Sequence, residues 1–280
     1  MKVILPGAAI GLLGGGENSR MFALAGERMG YRVHAFPTES AGDLDRIRKF
    51  AAEVDVVTVV SGDVSVIALQ AAAGSGTLYP PMKTFEAVEN GVGTKRDFSK
   101  AVFADFSIIG ARGINGECVF YDPIAIDRVD GVLDIARSPA PIGSKLARKA
   151  INLTRDVLED LDVTGIACVE FTLSESYELT IHDVTPHPHS SGNVTADSCV
   201  TSQFEQQLRA ICGLPFGSTQ MLSPTAMAVL PAAGESDWVA ALTLPEVKLH
   251  LGGRYLTATA PSGTRAKQIV RAARASLSAK

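Results

Sequence analysis

The stretch from Thr164 to Gly213 constrains this chain more than any other. It holds two strand-like runs, a loop stiffened by prolines and a helix signalled at both ends. Residues 165–173 and 179–185 are apolar and β-branched, with the polar interval Ser174-Glu175-Ser176-Tyr177 between them, so they predict a β-hairpin. With Ser176 and Tyr177 as a two-residue loop, Glu170 falls directly opposite Asp183. Opposed residues have Cβ atoms about 5 Å apart, where two bare carboxylates repel, so a positive group is expected beside them. A divalent cation is the first candidate, because Mg²⁺ accepts one or two carboxylates together with phosphate oxygens. Two solvated acids on an exposed hairpin face are the plain alternative.

After Asp183 the sequence reads Val-Thr-Pro-His-Pro-His-Ser-Ser-Gly-Asn193. Its two prolines end strand pairing and fix the loop, which predicts that His187 and His189 project from a rigid turn. Ser202 followed by Glu205 forms a capping box, Phe204, Leu208 and Ile211 form an apolar stripe, and Gly213 ends the helix.

The amino-terminal third alternates strand and helix. Residues 10–13 predict a strand, and Gly14-Gly15-Gly16 a turn into a helix capped by Asn18 or Ser19 and closed by Gly30. Met21, Phe22, Leu24, Ala25 and Met29 are expected on the inner face of that helix. A strand at 32–36, a helix at 43–53 and a strand at 54–60 follow, which predicts a parallel, Rossmann-like sheet. A glycine turn at a helix N-terminus suits an anion such as phosphate, although the same turn serves equally without a ligand. The three glycines are not the GxGxxG pattern, and Phe36-Pro37 stands where a dinucleotide site wants an acid, so a dehydrogenase is not expected.

Further on, residues 118–126 and 131–137 predict antiparallel strands joined through 127–130, and 144–161 a helix with Leu146, Ala150, Leu153, Val157 and Leu161 on one face. Residues 268–278 predict a terminal helix with a basic, solvated face. With 46% hydrophobic and 20% charged residues the chain reads as a soluble globular protein, and its net charge of −4 argues against a general nucleic-acid binder. No stretch has the apolar length to span a bilayer, and no signal peptide is evident, so a cytoplasmic protein is expected. Cys118, Cys168, Cys199 and Cys212 lack metal-like spacing and are expected to be reduced structural thiols.

Several strings resemble the N5-carboxyaminoimidazole ribonucleotide synthetases, an ATP-grasp family of purine biosynthesis. They are Val169-Glu170-Phe171, His182-Asp183-Val184-Thr185-Pro186, Pro188-His189 with Ser191-Gly192, and the nearly unbroken run 200–215. Gly14-Gly15-Gly16 with Arg20-Met21, and Asp105 to Gly113 including Arg112, are similar to the family's opening and to a strand of its large lobe. The resemblance implies a Rossmann-like lobe at 1–82, an α+β ATP-grasp large lobe with an antiparallel sheet at 105–220, and a sheet-and-helix subdomain at 221–280. It implies Mg²⁺ and ATP if the family activity is retained, with metal held by Glu170 and Asp183. Nucleotide or ribonucleotide would be held by Gly14, Gly15, Gly16, Arg20, Arg112, His187, His189, Ser191 and Gly192. It also implies a homodimer.

The departures are specific. Glu17, Asn18 and Ser19 replace the family's Gln-Leu-Gly, and a glutamate there would repel a phosphate. His187 replaces an arginine, which exchanges a bidentate grip for a pH-sensitive group, and Asp183 replaces a glutamate. Six residues lie between Phe98 and Asp105, where the family carries its small ATP-grasp lobe. A domain needs at least about 50 residues, so the lobe over the triphosphate has no room, and 83–104 reads as a linker in its place.

Overall fold

The computed structural model describes residues 3–37, 43–91, 102–230 and 238–277. Residues 92–101, part of the segment 83–104 read as a linker, lie outside them. The amino-terminal elements are β1 (Ala9–Leu13), α1 (Glu17–Arg28), β2 (Arg32–Phe36), α2 (Leu44–Ala52), β3 (Val56–Val59), α3 (Val66–Ala73), β4 (Leu78–Tyr79) and α4 (Met82–Glu89). The strands pair in parallel in the order β2-β1-β3-β4, the Rossmann-like winding expected from the alternation. β1 and β3 are buried throughout, as strands covered on both faces must be.

Two local readings change here. α1 has Gly16 at its N-cap with no side-chain cap. The Ser19 hydroxyl instead donates to the Gly15 carbonyl (2.9 Å), and Asn18 is engaged elsewhere. Leu24, expected inward, is 55% exposed, while Phe22 is fully buried. The helix turns its face toward the run of 204–212, and this rotates Leu24 into solvent.

The second sheet contains β5 (Val102–Arg112), β6 (Cys118–Phe120), β7 (Ile124–Val129), β8 (Val132–Ser138), β9 (Gly165–Ser174), β10 (Leu179–Thr185), β11 (Thr225–Val229), β12 (Val247–His250) and β13 (Tyr255–Thr259). Its order is β10-β9-β5-β7-β8-β11-β13-β12, with β6 on β5, and its pairings are antiparallel. The fold is α/β with one parallel and one antiparallel sheet. Because β11 pairs with β8, the strands of 221–280 extend this sheet instead of forming one of their own. Helix α5 (Ser144–Asp160) packs Ala150, Val157 and Leu158 on β5 and β9. Helices α8 (Trp238–Leu242) and α9 (Gly263–Leu277) follow, and α9 begins earlier than expected. Its basic face is partly engaged, since Arg274 pairs with Asp134 and Lys267 with Asp127.

The run 118–126 breaks at 121–123, and the connection to β8 is tighter than expected. β7 continues to Val129, and Asp130 and Gly131, both at positive φ, make the turn. Arg128 is therefore a strand residue next to a register shift between Asp127 and Arg128. The β9-β10 hairpin differs in the opposite sense, with a loop one residue longer than expected. Its loop spans Glu175, Ser176 and Tyr177, closed by the Ser174 amide on the Glu178 carbonyl (3.0 Å). A bulge between Ile181 and Asp183 then absorbs the extra residue, so that Glu170 does face Asp183.

Between the sheets runs α7 (Gln203–Cys212), preceded by the short α6 (Thr195–Ser198). Ser202 caps α7 by accepting from the Glu205 amide, but the Glu205 carboxylate pairs with Arg209 instead of reaching back. Phe204, Leu208 and Ile211 join Ile10, Leu12 and Phe22 in one cluster, and Gly213 ends the helix at φ 68°. Three glutamines of α7 are fully buried. Gln207 donates to the Thr58 hydroxyl in β3 (2.8 Å) and accepts from the Ile166 amide in β9, so one side chain bonds to both sheets. Gln206 closes a pair of bonds with Gly217 (2.6 and 3.0 Å). Replacing Gln207 by Ala leaves the buried Ile166 N–H without its acceptor. Chemical denaturation should then show a loss of at least about 2 kcal/mol with unchanged secondary structure.

Candidate functional site

The site forms where the Pro- and His-rich loop crosses the carboxyl end of the parallel sheet and the face of β9. The loop is held from below by Gln203. Its amide nitrogen donates to the His189 carbonyl and to Asn193 Oδ1 (both 2.8 Å), and its oxygen accepts from the His189 N–H (3.2 Å). The Gln203 N–H donates to Thr195 Oγ1 (2.9 Å), which donates to the Gly192 carbonyl (2.6 Å). A Cβ at Gly192 would stand 2.3 Å from Gln203 Oε1, so the loop closes only over a glycine.

The glycine turn meets this loop. Asn18 Nδ2 donates to the carbonyls of Val60 (3.1 Å) and Pro188 (3.0 Å), tying α1, the end of β3 and the loop together. Gly14 adopts φ 106°, and a Cβ there would lie 2.4 Å from Ser61 Oγ. His187 Nε2 lies 3.7 Å from the position a Gly62 Cβ would take. Gly14, Gly15, Gly16, His187, His189, Ser191 and Gly192 are thus brought into one region. Arg20 sits at its edge, its Cδ 3.8 Å from the Gly252 Cβ position. Glu17 faces Arg254 (3.6 Å), and burial pushes its carboxyl above the ordinary range. Arg112 is elsewhere. It lies at the far end of β5, opposite Gly165, and bonds Asp162 and the Val163 carbonyl (both 2.9 Å).

Glu170 is 95% buried at its side chain, and the positive group beside it is part of the chain: Arg128 donates to Oε2. Ser107, its partner on β5, is small and buried. His182, the bulge residue, places Nε2 3.6 Å from Oε2, and His189 Nδ1 is 3.9 Å from Oε1. Among the described residues, Oε1 accepts no hydrogen bond. Burial pushes the carboxyl up, while Arg128 draws it back in part and Asp183 adds to the rise. Cys168, two positions back on the same face of β9, completes a group with Glu170 and His189 whose ligand atoms lie within 4.8 Å of one another. Asp183 stands across from Glu170 and is itself exposed. Three of these neighbours escaped the sequence reading. Arg128 sat in a segment read as a turn, Cys168 in an apolar run, and His182 faces inward only because of the bulge.

The histidines also differ from expectation. Burial lowers both His187 and His189 to about 4, so neither titrates near neutral pH. His187 Nδ1 lies 3.0 Å from the Pro188 carbonyl, and His189 Nδ1 lies 3.0 Å from Ser191 Oγ, which lies 3.0 Å from Ser107 Oγ. The three cysteines at 168, 199 and 212 are buried and free, and Cys118 is half-buried and free, as expected.

Residues 100–204 match the model of the ATP-grasp domain. The N5-carboxyaminoimidazole ribonucleotide synthase of Bacillus subtilis (strain 168) is 25% identical over 310 residues, covering 81% of this chain and 82% of the relative. The chain is a homologue of these synthases. The phosphoribosylaminoimidazole carboxylase of Schizosaccharomyces pombe is 30% identical over 161 residues, 54% of this chain, and the match covers 29% of that longer protein. Among solved structures, the ADP complex of an N5-carboxyaminoimidazole ribonucleotide synthetase superposes with a TM-score of 0.85 at 24% identity, over 98% of both chains. The Aspergillus clavatus synthase, solved with ADP and 5-aminoimidazole ribonucleotide, gives a TM-score of 0.84 at 18% identity, over 97% of this chain and 98% of that one. No helix among the described residues is long and apolar enough to cross a membrane.

The lowered histidines have a consequence for stability. Unfolded histidine titrates near 6.5, whereas folded His187 and His189 hold out to about 4, so acid protonates the unfolded chain first. Their contribution is complete above 6.5 and is lost as pH falls from 6.5 toward 4. In urea titrations at stepped pH, His187→Gln should flatten this acid limb relative to the parent protein.

Proposed function

We propose that this protein is a reduced homologue of the N5-carboxyaminoimidazole ribonucleotide synthetases in which ATP- and bicarbonate-dependent carboxylation of aminoimidazole ribonucleotide is weak or lost. On this reading the lobes at 1–82 and 105–220 keep the family scaffold, residues 83–104 stand in place of the small ATP-grasp lobe, and the protein acts in the cytoplasm as a homodimer.

A length mismatch carries the reading. The alignment with the Bacillus subtilis relative extends over 310 residues, more than the 280 of this chain, so that relative has internal sequence with no counterpart here. The six residues between Phe98 and Asp105 fall where the family places the lobe that covers the triphosphate.

The chemistry around Glu170 supports the same conclusion. On the family pattern Glu170 and Asp183 would hold Mg²⁺, which would supply neutralisation of phosphate charge during transfer. Mg²⁺ prefers hard oxygen ligands in octahedral geometry and retains several waters. Here Oε2 of Glu170 is already paired with Arg128, and the ligand-type atoms gathered with its carboxylate are Cys168 Sγ and a His189 ring nitrogen, while Asp183 faces it from β10 as a more exposed side chain. The residues present fit Mg²⁺ poorly. The parts that remain are those that bind and orient: the glycine turn with its helix N-terminus, and the loop of His187, His189, Ser191 and Gly192. That remnant also favours a second reading, a non-catalytic nucleotide-binding protein on the same scaffold.

Incubation with ATP, bicarbonate and aminoimidazole ribonucleotide should release no stoichiometric ADP, and release coupled to carboxylation would overturn the proposal. Calorimetry with ADP and ATP separates the two readings, because a nucleotide-binding protein gives saturable heat without turnover. Light scattering should return twice the mass of one chain, and the mass of a single chain would remove the homodimer.

A further inference from the structure

The unbonded oxygen of Glu170 has softer company than a magnesium site would supply. Cys168 Sγ, a Glu170 carboxylate oxygen and a His189 ring nitrogen lie within 4.8 Å of one another, and Glu170 Oε1 is already 3.9 Å from His189 Nδ1. We propose that these three side chains form a binding site for a borderline-soft divalent cation such as Zn²⁺, with one coordination position left for a small ligand.

The donor set argues for this class of metal. Thiolate and imidazole select Zn²⁺ and its neighbours, whereas oxygen-only sets select Mg²⁺ and Ca²⁺. Around tetrahedral Zn²⁺, with bonds of roughly 2.0–2.3 Å, neighbouring ligand atoms stand about 3.5 Å apart. The closure needed is about 1 Å, within the reach of side-chain rotation. The supports are unequal in the way such sites require. Cys168 and Glu170 are fixed by their alternation on a central strand, paired on both sides by β5 and β10. His189 is fixed by the clamp of Gln203 on its backbone. Arg128 holds Oε2 and leaves Oε1 turned to the thiol and imidazole, the outer-shell orientation that ligating carboxylates receive in metalloproteins.

Ser191 is what the cation would displace. Its hydroxyl stands between the donors, 3.0 Å from His189 Nδ1 and 3.9 Å from Cys168 Sγ, and its N–H makes a long bond of 3.3 Å to the same nitrogen. Binding exchanges these contacts for metal bonds and releases the thiol proton of Cys168 to solvent. Nothing in this proposal depends on nucleotide binding, and its test contains no nucleotide.

The test is titration of the full chain, stripped by chelator, with Co²⁺ as a spectroscopic stand-in. One equivalent should produce a thiolate-to-cobalt charge-transfer band together with four-coordinate d–d bands, and Zn²⁺ should bleach both. Cys168→Ser should abolish the charge-transfer band, His189→Ala should weaken binding more than about tenfold, and Cys118→Ser should leave the spectrum intact. Circular dichroism of each variant separates lost ligation from lost folding. The absence of bands in the parent chain overturns the proposal even if a variant fails to fold. Bands that survive Cys168→Ser, or that vanish with Cys118→Ser instead, overturn it equally.

Discussion

Burying a glutamine is unfavourable unless both ends of its amide are bonded, and α7 buries three in five residues. Gln207 spans the parallel and antiparallel sheets, Gln203 fastens the loop that carries His189, and Gln206 pins the chain at Gly217. Apolar contacts tolerate sliding, but these bonds have direction. They fix how the glycine turn, the Pro- and His-rich loop and β9 stand relative to one another, and the candidate site is made of those three parts. Phe204, Leu208 and Ile211 supply the driving force on the same helix, through a cluster shared with β1 and α1.

The electrostatics of the site follow from this rigidity. A carboxylate as buried as Glu170 needs a partner, and the chain supplies Arg128 from a strand two places away in the sheet. Two neighbouring histidines are kept neutral by burial, and a thiol two residues away is held protonated in the same way. The region is therefore buried around Glu170 and rich in neutral donors, with Asp183 as a second carboxylate beside it. It suits holding a ligand in place better than drawing in a strongly anionic one.

Much of the fold was legible because its signals are local. Strand-helix alternation announced the parallel sheet, prolines and glycines marked the loop and the helix end, and Ser202 marked the start of α7. What escaped depends on pairing across distance. Gln203, Gln206 and Gln207 look like a solvated helix face until Thr58, Ile166 and the His189 loop are brought to them. Arg128 looks like part of a turn until β7 is seen to run on to Val129. Leu24 looks buried by its spacing, but the helix rotates to satisfy Phe22. The facing of Glu170 and Asp183 came out as expected although the assumed loop was one residue too short, because the bulge restored the count.

That bulge decouples the two ends of the hairpin. Strand pairing normally transmits a length change at a turn to every side chain beyond it, reversing the face each one presents. Here one surplus residue at the tip is taken up at His182 before the chain reaches Asp183, and it becomes the imidazole beside Glu170. The tip, where Tyr177 packs on Phe103 in solvent, is mechanically insulated from the chemistry at the base. Lineages of this scaffold are free to reshape that outer edge, for instance to suit a new neighbour, without retuning the interior.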